Sequence, residues 1–426
     1  MTLRRFAYTI LLYLLLPAAL WHLAWRARRQ PAYLQRVPER FGYYRQRAEY
    51  PLIWIHAVSV GETRAAEPLV RALQKDYPHH GILISHMTPT GRETGEALFK
   101  DSVRRCYLPY DFPGSVARFL DHYRPAMALL METELWPNLI HGCHARDIPV
   151  YLVNARLSGK SHAGYRRFEG LVRETLAEVD AIAAQSSDDA ERLAALGARM
   201  VVVTGNLKFD LESPPDQIAL GAAWRQRYGA GRRVLLAAST REGEEALLID
   251  GLRQLNVEDA LLVIVPRHPQ RFGAVAALLE RSGLRYQRRS AEAAVHSRTQ
   301  VLLGDSMGEL YAYYAACDVA FVGGSLLPFG GQNMIEACAA GKPVLFGPHT
   351  YNFSEAAENA VAAGAARRVM TVDELMAQAT KLLQDPGLAA QMGSAGREFV
   401  RKHQGATRRV LELLKTAAPT SAPARH

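Results

Sequence analysis

Residues 318–349, DVAFVGGSLLPFGGQNMIEACAAGKPVLFGPH, decide the fold class. Asp318 to Val322 is a short apolar run of strand type. Gly323, Gly324, Pro328, Gly330 and Gly331 then interrupt regular structure. Gln332 to Ala340 carries small and apolar residues at helical spacing, and Gly341-Lys342-Pro343 stops that helix before a second buried strand, Val344 to Phe346. Strand, glycine-rich loop, helix and strand make one unit of a parallel sheet. A glycine-rich loop feeding a helix N-terminus turns backbone N–H groups outward, and the helix dipole adds roughly half a positive charge. The loop reads either as a nucleotide-phosphate cradle or as a tight turn whose glycines serve packing alone.

The same alternation extends in both directions. N-terminally, Pro51 to Val58, Gly81 to His86, Met127 to Met131, Val150 to Val153, Ala181 to Ala184 and Val201 to Thr204 are short apolar runs separated by helical patterns. Residues 211–230 hold Pro214-Pro215, Gly229, Gly231 just beyond, and several polar residues, and read as a linker. The alternation restarts at Val234 to Ala238 and continues through Leu261 to Val265 and Val301 to Leu303. The reading is α/β: two Rossmann-like domains facing a cleft, 30–210 and 231–415, with ligands at the C-terminal strand ends. Residues 416–426 read as a disordered tail.

Residues 1–29 differ from the rest. Phe6 to Trp25 is nearly unbroken apolar sequence, about long enough to cross a ~30 Å hydrocarbon layer. Arg4 and Arg5 precede it; Arg26, Arg28 and Arg29 follow, with Arg36, Arg40, Arg45 and Arg47 soon after. That asymmetry predicts a membrane anchor with the body on the cytoplasmic side. Pro17 and His22 leave a shallow, in-plane anchor open beside a full span. The formal charge of +9 suits an anionic surface or substrate. Its clustering near the anchor, with no recognition motif, argues against nucleic acid. Cys106, Cys143, Cys317 and Cys338 are too scattered for a disulfide frame or zinc site.

Three strand ends carry Ser-x-x-Glu, the capping-box spacing: Ser59/Glu62, Ser239/Glu242 and Ser306/Glu309. Each glutamate has a structural reading, as a cap, and a functional one, as a carboxylate at the ligand edge of a sheet. Glu62 follows the first strand of its domain and is the favoured base. Glu132 and Glu134, beside Trp136-Pro137-Asn138, are candidates to raise its pKa or hold hydroxyls. Arg267-His268 between prolines can meet a phosphate. Lys208 would meet an anionic substrate or be an ordinary surface lysine. No Asp-x-Asp pair, H-E-x-x-H pattern or P-loop occurs, and the first strand is followed by Ser-Val-Gly-Glu in place of G-x-G-x-x-G.

HAVSVGE (56–62), METELWPN (131–138), NARLS (154–158), TGNLKFD (204–210), VPRHPQRF (265–272), GDSMGEL (304–310) and GGSLLPFGGQNMIEA (323–337) run in order over nearly the whole chain. Together they resemble the 3-deoxy-D-manno-oct-2-ulosonic acid (Kdo) transferases of Gram-negative lipopolysaccharide synthesis. The resemblance implies an inverting, metal-independent GT-B glycosyltransferase at the inner membrane. It implies CMP-Kdo as donor co-substrate with no cofactor, and the lipid A precursor (lipid IVA) as acceptor. In that scheme Glu62 is the general base, and Glu132 and Lys208 support transition-state charge. Arg267, His268, Met307, Gly308, Glu309, Asn333, Met334, Ile335 and Glu336 hold CMP, while Arg156 and Tyr165 to Phe168 are acceptor contacts. Val344 stands where retaining GT-B enzymes of the E-x7-E type carry a second glutamate, in keeping with inversion. The alternatives are a GT-B enzyme for another nucleotide sugar and a non-catalytic lipopolysaccharide-assembly scaffold.

Overall fold

The structure is a computed structural model describing residues 2–28, 30–45, 50–210, 214–229 and 231–417. The chain forms two compact units, residues 1–210 with 404–426, and residues 211–403.

The first unit is built on seven strands: β1 (Leu52–His56), β2 (Gly81–His86), β3 (Arg104–Tyr107), β4 (Met127–Met131), β5 (Val150–Ala155), β6 (Ala181–Ala184) and β7 (Val201–Val203), in the order β3-β2-β1-β4-β5-β6-β7. Every pair is parallel. A parallel sheet needs a helical cover on both faces, so its central strands must be apolar throughout. LIWIH of β1 and VYLVNA of β5 are buried at every position. Trp54, fully buried, satisfies its indole N–H on the Ser85 hydroxyl at 2.8 Å. The sheet order reverses direction between β1 and β4, and open α/β sheets bind ligands at such a switch point.

The second unit repeats the plan with β8 (Val234–Thr240), β9 (Leu261–Pro266), β10 (Tyr286–Arg288), β11 (Val301–Leu303), β12 (Val319–Val322), β13 (Val344–Phe346) and β14 (Ala366–Arg368), ordered β10-β11-β9-β8-β12-β13-β14 and again all parallel. Its direction reverses between β8 and β12, so the loops after these two strands flank the switch point. Gly323, at the end of β12, is packed so tightly that a Cβ would lie 2.8 Å from the Ser239 carbonyl oxygen and 2.7 Å from Thr240 Cα. Only glycine lets the two strand ends meet this closely.

The structure corrects several expected boundaries. Most of the expected linker 211–230 is a helix, Pro215–Tyr228, with Pro215 in its first turn. Gly221 packs against the Ala312 carbonyl of helix Leu310–Ala316, and Trp224 lies 4.7 Å from the Tyr313 ring. Residues 211–213 and 230 lie outside the described residues. The C-terminal end, expected in the second domain, instead belongs to the first unit. Helix Ala406–Ala417 inserts Val410, Leu413 and Leu414 into the core around Leu69, Val70 and Leu73. Asp210 fastens it by accepting from the backbone N–H groups of Gly405 and Thr407. Thr416 and Ala417 of the expected tail are helical, and residues 418–426 lie outside the described residues. The helix expected over Gln332 to Ala340 spans only Ile335–Ala339. Gly330 and Gly331 have positive φ, and the Asn333 side chain takes the Ile335 N–H.

Helix Leu3–Ala27 is long and apolar enough to cross a membrane, yet a polar stripe binds it to the first unit. Arg5 pairs with Glu178 at 3.3 Å, Tyr8 donates to Asp111 at 3.0 Å, Thr9 bonds Asn138 and Tyr13 stacks on Phe112. The other face exposes Leu3, Leu14 and Trp21, each at least 70% accessible.

Leu414→Ala should lower unfolding free energy by about 2–5 kcal/mol, because it opens a cavity in a packed core. Arg408→Ala on the same helix removes only an exposed pair with Glu412 and should change it by less than about 1 kcal/mol. Chemical denaturation of the two variants checks the assignment of this helix to the core.

Candidate active site

At the switch point of the first unit, the loop after β1 starts helix Val60–Ala65. Ser59 is its N-cap: the Ser59 hydroxyl accepts from the Glu62 N–H at 3.4 Å, and the Glu62 carboxylate accepts from the Val58 N–H and the Ser59 hydroxyl, both at 2.7 Å. The capping box is therefore real. It also fixes the carboxylate where only 8% of the residue stays accessible. Burial pushes the Glu62 pKa up to about 7, helped by the charges of Glu132 and Glu134 and opposed by the two hydrogen bonds.

Glu132 ends β4 in the left-handed region, φ +57°, which turns its side chain out of the strand alternation. Lys208 Nζ lies 3.7 Å from its carboxylate. Lys208 sits in the short helix Leu207–Phe209, held by a polar network the sequence did not announce. Asn154 accepts the Leu207 N–H, Gln185 donates to the Asn154 carbonyl, and Asn206 bonds both Gln185 and the Lys208 N–H. Burial raises the pKa of Glu134 as well, and the Trp136 indole donates to it at 2.8 Å. Glu62, Glu132 and Lys208 thus gather at one sheet edge.

The other two Ser-x-x-Glu sequences do not form capping boxes. Ser239 has φ +55°, the next helix begins only at Glu244, and the Glu242 side chain is 81% exposed. Glu244, which the sequence reading passed over, is fully buried. Its carboxylate accepts from the N–H groups of Arg241, Gly324, Ser325 and Leu326 at 2.6–3.0 Å. It ties the loop after β8 to the glycine-rich loop after β12. The EGEE run at 242–245 was the available signal. Ser306 bonds Tyr313, and Glu309 pairs with Arg289 at 3.0 Å. Arg289 in turn lies over the Trp224 ring, 4.6 Å from its centroid.

Arg267 donates to Gln332 at 3.2 Å, next to Asn333, whose amide bonds Glu336 at 3.1 Å. Burial, with Arg241, Arg267 and Arg271 nearby, lowers the pKa of His268. Met307 is exposed and Gly308 takes φ +78°. Met334 and Ile335 are buried, so they can offer a ligand only backbone groups.

A family model described as 3-deoxy-D-manno-octulosonic-acid transferase (kdotransferase) matches residues 35–211, and one described as glycosyl transferases group 1 matches residues 246–399. The 3-deoxy-D-manno-octulosonic acid transferase of Bordetella pertussis is 45% identical, over 96% of this chain and 99% of its own length. That of Haemophilus influenzae is 40% identical, over 96% and 98%. Among solved structures, a glycosyltransferase from Rickettsia africae aligns at a TM-score of 0.58 with 15% identity, covering 88% of this chain and all of that one. The UDP-GlcNAc 2-epimerase of Neisseria meningitidis reaches 0.59 with 18% identity, covering 86% and 100%. These two share the two-unit Rossmann-like fold of the GT-B class. With both family models in chain order and close relatives over nearly its full length, this chain belongs to the Kdo transferase family of glycosyltransferases.

Proposed function

We propose that the chain transfers Kdo from CMP-Kdo to the lipid A precursor, lipid IVA, by single displacement with inversion, and that Glu62 is the base. The observation that carries this reading is the buried Glu62 carboxylate, oriented by Val58 and Ser59 and raised to about pKa 7 beside Glu132 and Lys208. A base works best when its pKa lies near the operating pH. The acceptor hydroxyl attacks C2 of Kdo as the bond from C2 to the phosphate oxygen breaks. The hydroxyl proton passes to Glu62, and the electron pair leaves with CMP. Lys208 and Glu132 steady charge around the reacting sugar.

On the donor side, Arg267 and His268 bind the CMP phosphate. Met307, Gly308 and Glu309 line the nucleoside, with Arg289 orienting Glu309. Asn333, Met334, Ile335 and Glu336 close the site from the glycine-rich loop, Met334 and Ile335 through their backbone. Side-chain cations can neutralise the leaving phosphate, so the proposal includes no metal.

For the acceptor, helix Leu3–Ala27 lies in the plane of the inner membrane, its body on the cytoplasmic side. Its residues 5–13 bond Glu178, Asp111 and Asn138, which favours this arrangement over a full span. The exposed Leu3, Leu14 and Trp21 then face acyl chains.

Glu62→Gln should lower transfer by about 10²–10⁴-fold while CMP affinity stays within about twofold, measured by mass spectrometry of the lipid product and by calorimetry. In the wild type, kcat/KM should rise with pH through about 7 and then level, because only ionised Glu62 accepts the proton. Glu132→Gln removes a charge that raises the Glu62 pKa, so the same limb should move to lower pH. EDTA should leave the rate unchanged. A wild type that binds CMP but transfers nothing from CMP-Kdo overturns this reading in favour of another sugar donor or a scaffold.

A further inference from the structure

Arg241 has no role in the scheme above. It opens the loop after β8, beside the point where the sheet order of the second unit reverses. Its guanidinium lies over the Phe329 ring, 4.6 Å from the centroid. Its aliphatic stem rests on Gly324, where an added Cβ would come 3.4 Å from Arg241 Cγ and 3.1 Å from Gln332 Nε2. Arg267 bonds the same Gln332 from the next loop. Arg241 and Arg267 therefore lie on the two loops that flank Gly324 and Gln332 at the ligand edge of the sheet.

Their partners differ from those of the third arginine in this cluster. Arg271 is matched by Glu245 at 3.0 Å and Glu242 at 3.8 Å. For the Arg241 guanidinium, no carboxylate or carbonyl acceptor occurs among the described residues, and its contact is the aromatic face of Phe329. A guanidinium set over an aromatic face keeps its N–H donors in its own plane, where they suit a planar, bidentate anion.

Five amides of the glycine-rich loop are already engaged within the protein. The N–H groups of Gly324, Ser325 and Leu326 are consumed by Glu244, and those of Gly331 and Gln332 by the carbonyls of Gly324 and Gly323. A CMP-activated ulosonic acid brings two anions to one carbon: C2 bears both the phosphate ester oxygen and the C1 carboxylate. With these five amides spent internally, the Arg241 guanidinium is a cation at hand for the second anion. We infer that Arg241 binds the sugar carboxylate of the donor, while Arg267 takes the phosphate, so that this pair of arginines selects acid sugars over neutral ones. The assignment rests on the CMP-Kdo reading proposed above. It adds to that reading the residue that recognises the acid.

The test compares wild type, Arg241→Gln and Arg241→Lys. CMP affinity is measured by calorimetry, and KM for freshly generated CMP-Kdo by initial rates. In Arg241→Gln, CMP affinity should stay within about twofold while KM for CMP-Kdo rises about tenfold or more, the loss expected for one charge-assisted bidentate contact. Arg241→Lys should recover part of that loss, since it restores charge without the planar fork. An unchanged KM overturns the assignment. Equal weakening of CMP and CMP-Kdo overturns it too, because Arg241 would then serve the nucleotide. Wild type binding CMP but inert toward CMP-Kdo overturns the donor reading and this assignment together, whereas active wild type with an indistinguishable Arg241→Gln overturns this assignment alone.

Discussion

Parallel pairing throughout both sheets places every strand's C-terminal end on one edge of its sheet. The chemistry of the chain follows from that constraint. Strands buried on both faces have no polar positions to spare, so functional groups collect in the loops that leave the strands. The reversal of strand order then selects two loops in each unit: those after β1 and β4 in the first, and those after β8 and β12 in the second. Glu62 and Glu132 occupy the former pair. Arg241 and the glycine-rich loop occupy the latter.

Two buried glutamates show how hydrogen-bond supply divides structural from chemical roles. Glu244 receives four backbone N–H groups, which saturate it and lock two loops together. Glu62 receives one backbone N–H, from Val58, and the hydroxyl of its cap Ser59, beside two other carboxylates. Its charge is incompletely compensated, and a proton is held near neutrality. Both sit within one turn of a helix start after the first strand of their unit. The difference lies in the loop packed against each: a glycine-rich loop can turn several N–H groups onto one carboxylate, and the acidic strand end at 131–134 cannot.

The central strands were legible because their burial demands continuous apolar runs, as in LIWIH and VAFV. Of the four edge strands, only β7, Val201–Val203, carried such a run. RRCY of β3, YQR of β10 and ARR of β14 all lie at sheet edges, where one side is solvated and arginine is tolerated, so no apolar run marks them. Pro214-Pro215 suggested a linker, although proline is equally at home in the first turn of a helix. Of the three Ser-x-x-Glu sequences, spacing could not tell which would cap a helix, since that depends on backbone torsion at the serine: extended at Ser59 and left-handed at Ser239. Glu244 stayed hidden for a related reason, because its partners lie about eighty residues away in the chain.

Helix Ala406–Ala417 returns to the first unit, so the chain passes between the units twice, once after Asp210 and once after His403. Topologically the second unit is an insertion within the first, and the first is a discontinuous domain. Exchange of the second unit between relatives, by recombination or by design, therefore requires two junctions. A fragment ending at residue 210 would lack Val410, Leu413 and Leu414 from its own core. Gene fusion or truncation at a single point would leave neither parent's first unit whole, and inheritance of this architecture favours replacement of the insert as a cassette.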